Sequence, residues 1–297
     1  LSDEGLPPPP PPPQPETLGQ YVGQVVQCAV SLAMFNLTIG VSLLMVFLKW
    51  LYLVCVCGKP ALLKSQRAVR GSGRRVLCWD STLSVERMKA AGKRKGRNLT
   101  LNDVALSIIM GGMRKYLNEK SDALVEGGDA GPDPDTVLVA VPINLRGGGE
   151  LLELRNKFGF AVVGLPLSTK RLLDTSKHVH NAMLFSKRWS EGYASYLMTF
   201  ALALLSKFSS TVVAYVRWGM AVCAQRVTLC VSNVPGPPSR LRLDGVEVTN
   251  CMGFIPPPPG CRIGVGICSY AGKVNMTVAT DAAVITDPEH LLQLIVG

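Results

Sequence analysis

Residues 17–48 read TLGQYVGQVVQCAVSLAMFNLTIGVSLLMVFL, with no charged side chain. A run this long either sits in a large protein core or enters lipid, where about 20 apolar residues cross the hydrocarbon. After Lys49 the apolar texture resumes as WLYLVCVCG. The segment therefore reads as one tilted span, or as two short ones broken near Asn36–Gly40. Membrane association is the reading that follows. The whole chain supports it: 47% of its 297 residues are apolar, and the mean hydropathy of +0.25 is high for a water-soluble protein.

The net charge of +10 is concentrated just after this stretch. Between Lys64 and Arg97 stand eleven basic residues against two acidic ones, Asp80 and Glu86. A basic run can serve nucleic acid, but this one carries only Trp79 as an aromatic and directly follows an apolar segment. Anionic lipid headgroups are the better partner, with the basic side facing the cytosol, and no nucleic acid is expected. The nine cysteines sit mostly in apolar runs and form no C-x-x-C pair. They read as reduced, buried thiols, and no metal site is expected.

The chain divides by texture into four parts. Residues 1–16 form a proline-rich linker with seven consecutive prolines, Pro7–Pro13, in an extended polyproline II spacer. Residues 17–58 are the hydrophobic membrane-associated segment, residues 59–98 a basic linker and residues 99–297 a folded domain. The chain opens on Leu1 rather than methionine, and its first residues show no basic signal-peptide region. It is expected to be an N-terminally truncated fragment or a processed product.

The domain has the pattern of a mixed α/β sheet. Thr100-x-x-Asp103 is a capping box opening a helix, LTLNDVALSIIMGGMRKYL. TVLVAVPINLR (136–146) and FGFAVVGLPL (158–167) are strands, flanking a Gly147-Gly148-Gly149 loop. Residues 169–186 and 192–223 are helical, and Val227–Val231 is a strand. Hairpins turn at Asp244-Gly245 and Ala271-Gly272. A last helix starts at Asp287-Pro288. Strict βαβ alternation and internal repeats are both missing.

Catalytic signals are sparse. His178, His180 and His290 have no nucleophile or acid placed by spacing and read as structural. There is no G-x-S-x-G, P-loop or H-E-x-x-H, and the sequons at Asn36, Asn98 and Asn275 carry little weight. Four polar clusters are left unexplained by periodicity: Asn102-Asp103, Asn144-Leu145-Arg146, Arg155-Asn156-Lys157-Phe158-Gly159 and Ser232-Asn233-Val234-Pro235-Gly236-Pro237. Each stands at a strand end or helix start, where loop-borne sites are built.

The order NDVALSIIMGGMRKYL, VPINLR, RNKFG, SNVPGP, GICSYAGKVNMTVATD and a terminal helix started by Asp-Pro-Glu resembles the wax ester synthase/diacylglycerol acyltransferase family. The resemblance covers roughly residues 99–297, the end of that enzyme's first domain and most of its C-terminal domain. It implies one of two chloramphenicol-acetyltransferase-like halves of a CoA-dependent acyltransferase, preceded here by the membrane-associated segment. It also implies transfer of a fatty acyl group from acyl-CoA, as co-substrate, to a long-chain alcohol or diacylglycerol, without a cofactor. The family's general base lies in a His-His-x-x-x-Asp-Gly motif that this sequence does not contain, so no catalytic residue is assigned. Asn102, Asp103, Ser232, Asn233 and Gly236 are the substrate or interface residues that match family motifs. Membrane lipid of the endoplasmic reticulum or plasma membrane, with the domain on the cytosolic side, is the implied location. The alternative is a catalytically inactive, membrane-anchored module that binds acyl chains or a partner.

Overall fold

A computed structural model describes residues 18–55, 73–94, 97–119, 136–146, 157–167, 172–205, 207, 209–257, 261 and 263–297. The proline-rich 1–16, the triple glycine 147–149 and Arg155-Asn156 lie outside these residues. The chain divides into two compact units, Leu1–Val41 and Ser42–Gly297.

The apolar segment is one helix, α1 (Leu18–Cys55), 38 residues long. Of the two readings left open, the unbroken one is found, with no break near Asn36–Gly40. Asn36 Nδ2 donates to the Leu32 carbonyl and Thr38 Oγ1 to the Met34 carbonyl, both at 2.8 Å. Their polar groups are thus satisfied by the turn above, and Gly40 interrupts no hydrogen bond. Its Gly19–Tyr52 stretch is long and apolar enough to cross a membrane, with mean hydropathy 2.1.

The second unit is built on a six-stranded mixed sheet. In chain order its elements are β1 (Arg75–Ser84), α2 (Val85–Lys93), α3 (Leu101–Glu119), β2 (Thr136–Asn144), β3 (Phe158–Pro166), α4 (Leu172–Arg188), α5 (Glu191–Leu205), α6 (Ser210–Arg226), β4 (Leu229–Pro235), a small hairpin β5 (Arg242–Leu243) and β6 (Val246–Glu247), then β7 (Ile263–Tyr270), β8 (Lys273–Asp281) and α7 (Pro288–Val296). The sheet order is β1-β8-β7-β4-β2-β3. β4 runs parallel to both β2 and β7, and the outer pairs are antiparallel. Both hairpin turns form where expected, with positive φ at Asp244-Gly245 and at Ala271-Gly272.

One sheet face carries the core. Val139 of β2, Leu229 of β4, Ile263 and Val265 of β7 and Met276 of β8 are fully buried there beneath Ile109 of α3, Val179 of α4 and Leu291 of α7. Period-two alternation in the strands meets the helical stripe of α3, and that match fixes the layer. Tyr116 of α3 donates its hydroxyl to Asp287 Oδ1 at the start of α7. Burial, followed by that carboxylate, raises the phenol well above its ordinary range.

Three expectations change. Residues 75–93 are not linker: β1 pairs along β8, and Cys78 and Met88 enter the core. Charge density hid them, because the basic side chains of an edge strand and an exposed helix face point to water while only the alternate positions are buried. The long helix expected over 192–223 is two helices, α5 and α6, parted at the polar SKFSS stretch, where Ser209 opens α6 by accepting from Val213 N at 3.2 Å. β4 runs past Ser232-Asn233 to Pro235, because β7 offers it a parallel partner all the way to Ser269.

The outer edge of β3 is covered by side chains rather than by another strand. Phe160 N donates to Ser195 Oγ at 2.8 Å, and Val162 N to Glu191 Oε1 at 3.2 Å. Both acceptors come from α5. Gly159 makes this approach possible: a Cβ there would collide with the Gly192 carbonyl. Lys49 of α1 reaches the same Glu191 Oε1 at 2.6 Å.

Candidate functional site

β2 and β4 pair at only two positions, Val139 with Leu229 and Ala140 with Cys230. Two residues further along β2 is Pro142, which has no N–H to give to a ladder. β4 meanwhile follows β7. The sheet splits there, at the carboxyl ends of two parallel strands, the place where open α/β sheets take their ligands. A groove of about 450 Å³ fills the gap. It is lined by Asn144 and Arg146 at the end of β2, Lys157, Phe158 and Phe160 at the start of β3, and Ser232 and Asn233 of β4, among others.

Local bonds hold these groups in place. Asn144 Oδ1 accepts from Arg146 N at 3.0 Å, an Asx turn that ends β2. Leu145 N donates to the Lys157 carbonyl at 3.0 Å, tying the two strand ends together. The result is two cations, a Phe158–Phe160 pair meeting edge to face at 5.2 Å, and no carboxylate among the described lining residues. Such a groove suits an elongated ligand with an anionic head and an apolar body. Cys230 also lines it, but burial, reinforced by Cys261, pushes its thiol up to about 12, so it is no nucleophile at neutral pH.

Of the residues singled out from the sequence, Asn144, Arg146, Lys157, Phe158, Ser232 and Asn233 line the groove. Asn102, 131 positions earlier in the chain, meets Asn233 directly, with Asn233 Nδ2 donating to Asn102 Oδ1. Asp103 faces away from this contact. Its buried carboxylate accepts from Thr100 N at 2.9 Å and lies 2.8 Å from His180 Nδ1. Asp103 N donates to Thr100 Oγ1 at 3.3 Å, completing the capping box that opens α3. The pair thus splits into two roles, Asn102 toward β4 and Asp103 toward α4. Gly236 N donates to Ser269 Oγ at 3.2 Å, and a Cβ at Gly236 would strike the Ser269 carbonyl. Glycine is required for β4 to leave the sheet against β7.

Sequence reasoning had left His180 without a partner, since nothing in spacing links α4 to the start of α3. It also missed Pro142 and Phe160 as lining residues. Pro142 inside an otherwise apolar strand was the available signal. Among the described residues, no three His, Cys, Asp or Glu side chains come together to hold a metal ion.

Comparison with known proteins places this geometry. Residues 154–296 match the family described as WS/DGAT C-terminal domain. A putative diacylglycerol O-acyltransferase of Mycobacterium tuberculosis is 26% identical over 213 residues, covering 71% of this chain and 42% of the relative. Wax ester synthase/diacylglycerol acyltransferase 8 of Arabidopsis thaliana is 24% identical over 220 residues, covering 67% of this chain and 44% of the relative. The chain thus spans less than half the length of these curated relatives. The fold is shared with the wax ester synthase/diacylglycerol acyltransferase of Marinobacter aquaeolei VT8, with TM-score 0.51 and 17% identity over 79% of this chain and 52% of that one. It is shared equally with the starter condensation domain of rhizomide synthetase, with TM-score 0.51 and 16% identity over 91% of this chain and 53% of that one. Residues 154–296 thus match the WS/DGAT C-terminal domain, on a fold shared with a wax ester synthase/diacylglycerol acyltransferase.

Proposed function

We propose that this chain is the C-terminal part of an acyl-CoA-dependent O-acyltransferase that moves a fatty acyl group to a long-chain alcohol or diacylglycerol. The observation that carries the reading is the groove at the split between β2 and β4, with Asn233 braced by Asn102 at its wall. Arg146 and Lys157 would take the phosphates of acyl-CoA, and Phe158 and Phe160 would take apolar chain. Acyl-CoA is a co-substrate, and the chemistry asks for no further cofactor.

In the reaction, a histidine of a His-His-x-x-x-Asp-Gly segment on a first half takes the alcohol proton. The alcohol oxygen attacks the thioester carbonyl, the C–O bond forms, and the C–S bond breaks. The CoA thiolate leaves with the proton returned by the histidine. The contribution of this chain is to hold the thioester in reach and to shape the pocket around the developing oxyanion, with the Asn102–Asn233 contact fixing that wall.

On this reading the protein is attached through α1 to a membrane of the endoplasmic reticulum or plasma membrane, with the catalytic domain in the cytosol. Its length and hydropathy support contact with lipid. The test of the catalytic reading is Asn102→Ala in a two-half protein that carries both this chain and the histidine segment. Turnover of acyl-CoA with a fatty alcohol should fall about tenfold or more. Unchanged turnover would sink the role assigned to that wall.

A further inference from the structure

Of the three helices between β3 and β4, the last two, α5 and α6, are turned inside out relative to an ordinary surface helix. α5, EGYASYLMTFALALL, has Glu191 as its only charged residue, and that carboxylate is ion-paired with Lys49. Its buried positions are Glu191, Gly192 and Ala194, whereas Phe200 is 60% exposed and Leu204 and Leu205 are exposed beside it. α6 repeats the pattern: Tyr215 is 69% and Trp218 58% exposed, with Met220 also outside. Ser210, Thr211, Ala214, Tyr215 and Trp218 recur at helical spacing and line one open groove of about 640 Å³. Large aromatics thus stand where a water-facing helix would carry charges.

This face continues onto α1. Trp50 packs against Gly219 of α6 with no space for a Cβ, and stacks on Phe47, which is itself exposed. The charge pattern says what covers the surface. From residue 192 through residue 243 there is no Asp or Glu, while Lys207 and Arg217 are exposed between and on the two helices. An apolar protein interface would need no such one-sided charge. A patch of Phe, Leu, Tyr and Trp fringed only by cations matches the headgroup boundary of an anionic bilayer, with rings at the interface and ammonium or guanidinium groups at the phosphates.

We propose that α5 and α6, together with residues 42–52 of α1, form a membrane-contact surface of the folded domain, selective for anionic phospholipid. The inference rests on the reading of α1 as a lipid-associated helix but adds a separate surface to it.

Hydrogen exchange of the full chain tests it, with phosphatidylcholine vesicles prepared with and without phosphatidylserine. Amides of α5 and α6 should slow about tenfold or more on adding the mixed vesicles. The Lys207→Glu/Arg217→Glu variant should lose the part of that slowing that depends on phosphatidylserine, and Tyr215→Ser/Trp218→Ser should lose slowing with either vesicle. Both variants change exposed side chains, and unchanged exchange in β7 and β8 confirms that they fold. Slowing confined to α1 overturns the proposal and leaves the α1 reading standing. Slowing of α5, α6 and residues 42–52 but not of residues 18–41 keeps the proposal and overturns the α1 reading. Protection of α5 and α6 that grows with protein concentration without vesicles overturns it in favour of a second copy. Protection that appears only on adding a separate histidine-bearing half overturns it in favour of a domain interface.

Discussion

Asn233 Nδ2 donates to Asn102 Oδ1, joining the end of β4 to the start of α3. Truncating either residue removes the same hydrogen bond. Asn102→Ala and Asn233→Ala should therefore lower turnover in a two-half protein by similar factors, and the double variant should be little worse than either single one. A product of the two losses, measured as kcat/KM, would mean that they act separately. The buried thiols give a second check. Cys230 is raised to about 12 and Cys261 to about 11, in both cases first by burial. Unfolded thiols titrate near 9, so the folded state holds these protons where the unfolded state releases them. That share of stability is fully present below about pH 9 and is lost as pH rises through 11 to 12. Urea midpoints should accordingly fall between about pH 8 and about pH 10.5, and less so for Cys230→Ala. Ser232, Asn233 and Asn102 were legible as unexplained polar residues at element ends. Their contact was not, because 131 positions separate them and only the parallel pairing of β4 with β7 brings them together.

At the scale of elements, the sheet edge at β3 is the exposed point of the design. An uncovered edge strand invites pairing with another chain. Here α5 supplies Ser195 and Glu191 as acceptors, and Gly159 lets the helix backbone come close. Gly159→Ala should cost about 3 kcal/mol or more by overpacking, read as a lowered urea midpoint. Glu191→Ala should cost about 1.5–3 kcal/mol, since Val162 N loses a charged acceptor and Lys49 a buried partner. A neutral result at Glu191 would show that water replaces it. Alternation exposed β2 and β3 in the sequence, and turn chemistry exposed both hairpins. β1 and α2 were lost in the basic run because net charge was weighed there before the positions of Cys78 and Met88. Edge coverage by α5 left no sequence signal, since a Ser and a Glu at a helix start read as ordinary capping.

At the scale of the whole molecule, α1 sets the geometry of any two-half enzyme. A continuous helix with no turn at Asn36–Gly40 cannot cross a bilayer and return. If a catalytic half precedes it and must meet this sheet, α1 lies along the membrane rather than through it. Protease-accessible tags before Leu18 and after Arg97 should then be cleaved from the same side of sealed vesicles. Cleavage from opposite sides would contradict the two-half arrangement and favour a plain anchor. The mixed sheet was legible from element order, and its split was not, because a proline at position 142 takes its meaning only from the strand beside it.

That split has a mechanical side. Strands joined by a ladder move together, because separating them breaks several backbone hydrogen bonds at once. Beyond Ala140 and Cys230, β2 and β4 share none. The carboxyl ends of the two strands are free to part like the jaws of a clip hinged at Val139 and Leu229, each jaw kept straight by its outer neighbour, β3 on one side and β7 on the other. Widening the groove costs side-chain contacts but no ladder, so compliance sits where the proposed ligands of different girth would have to be admitted.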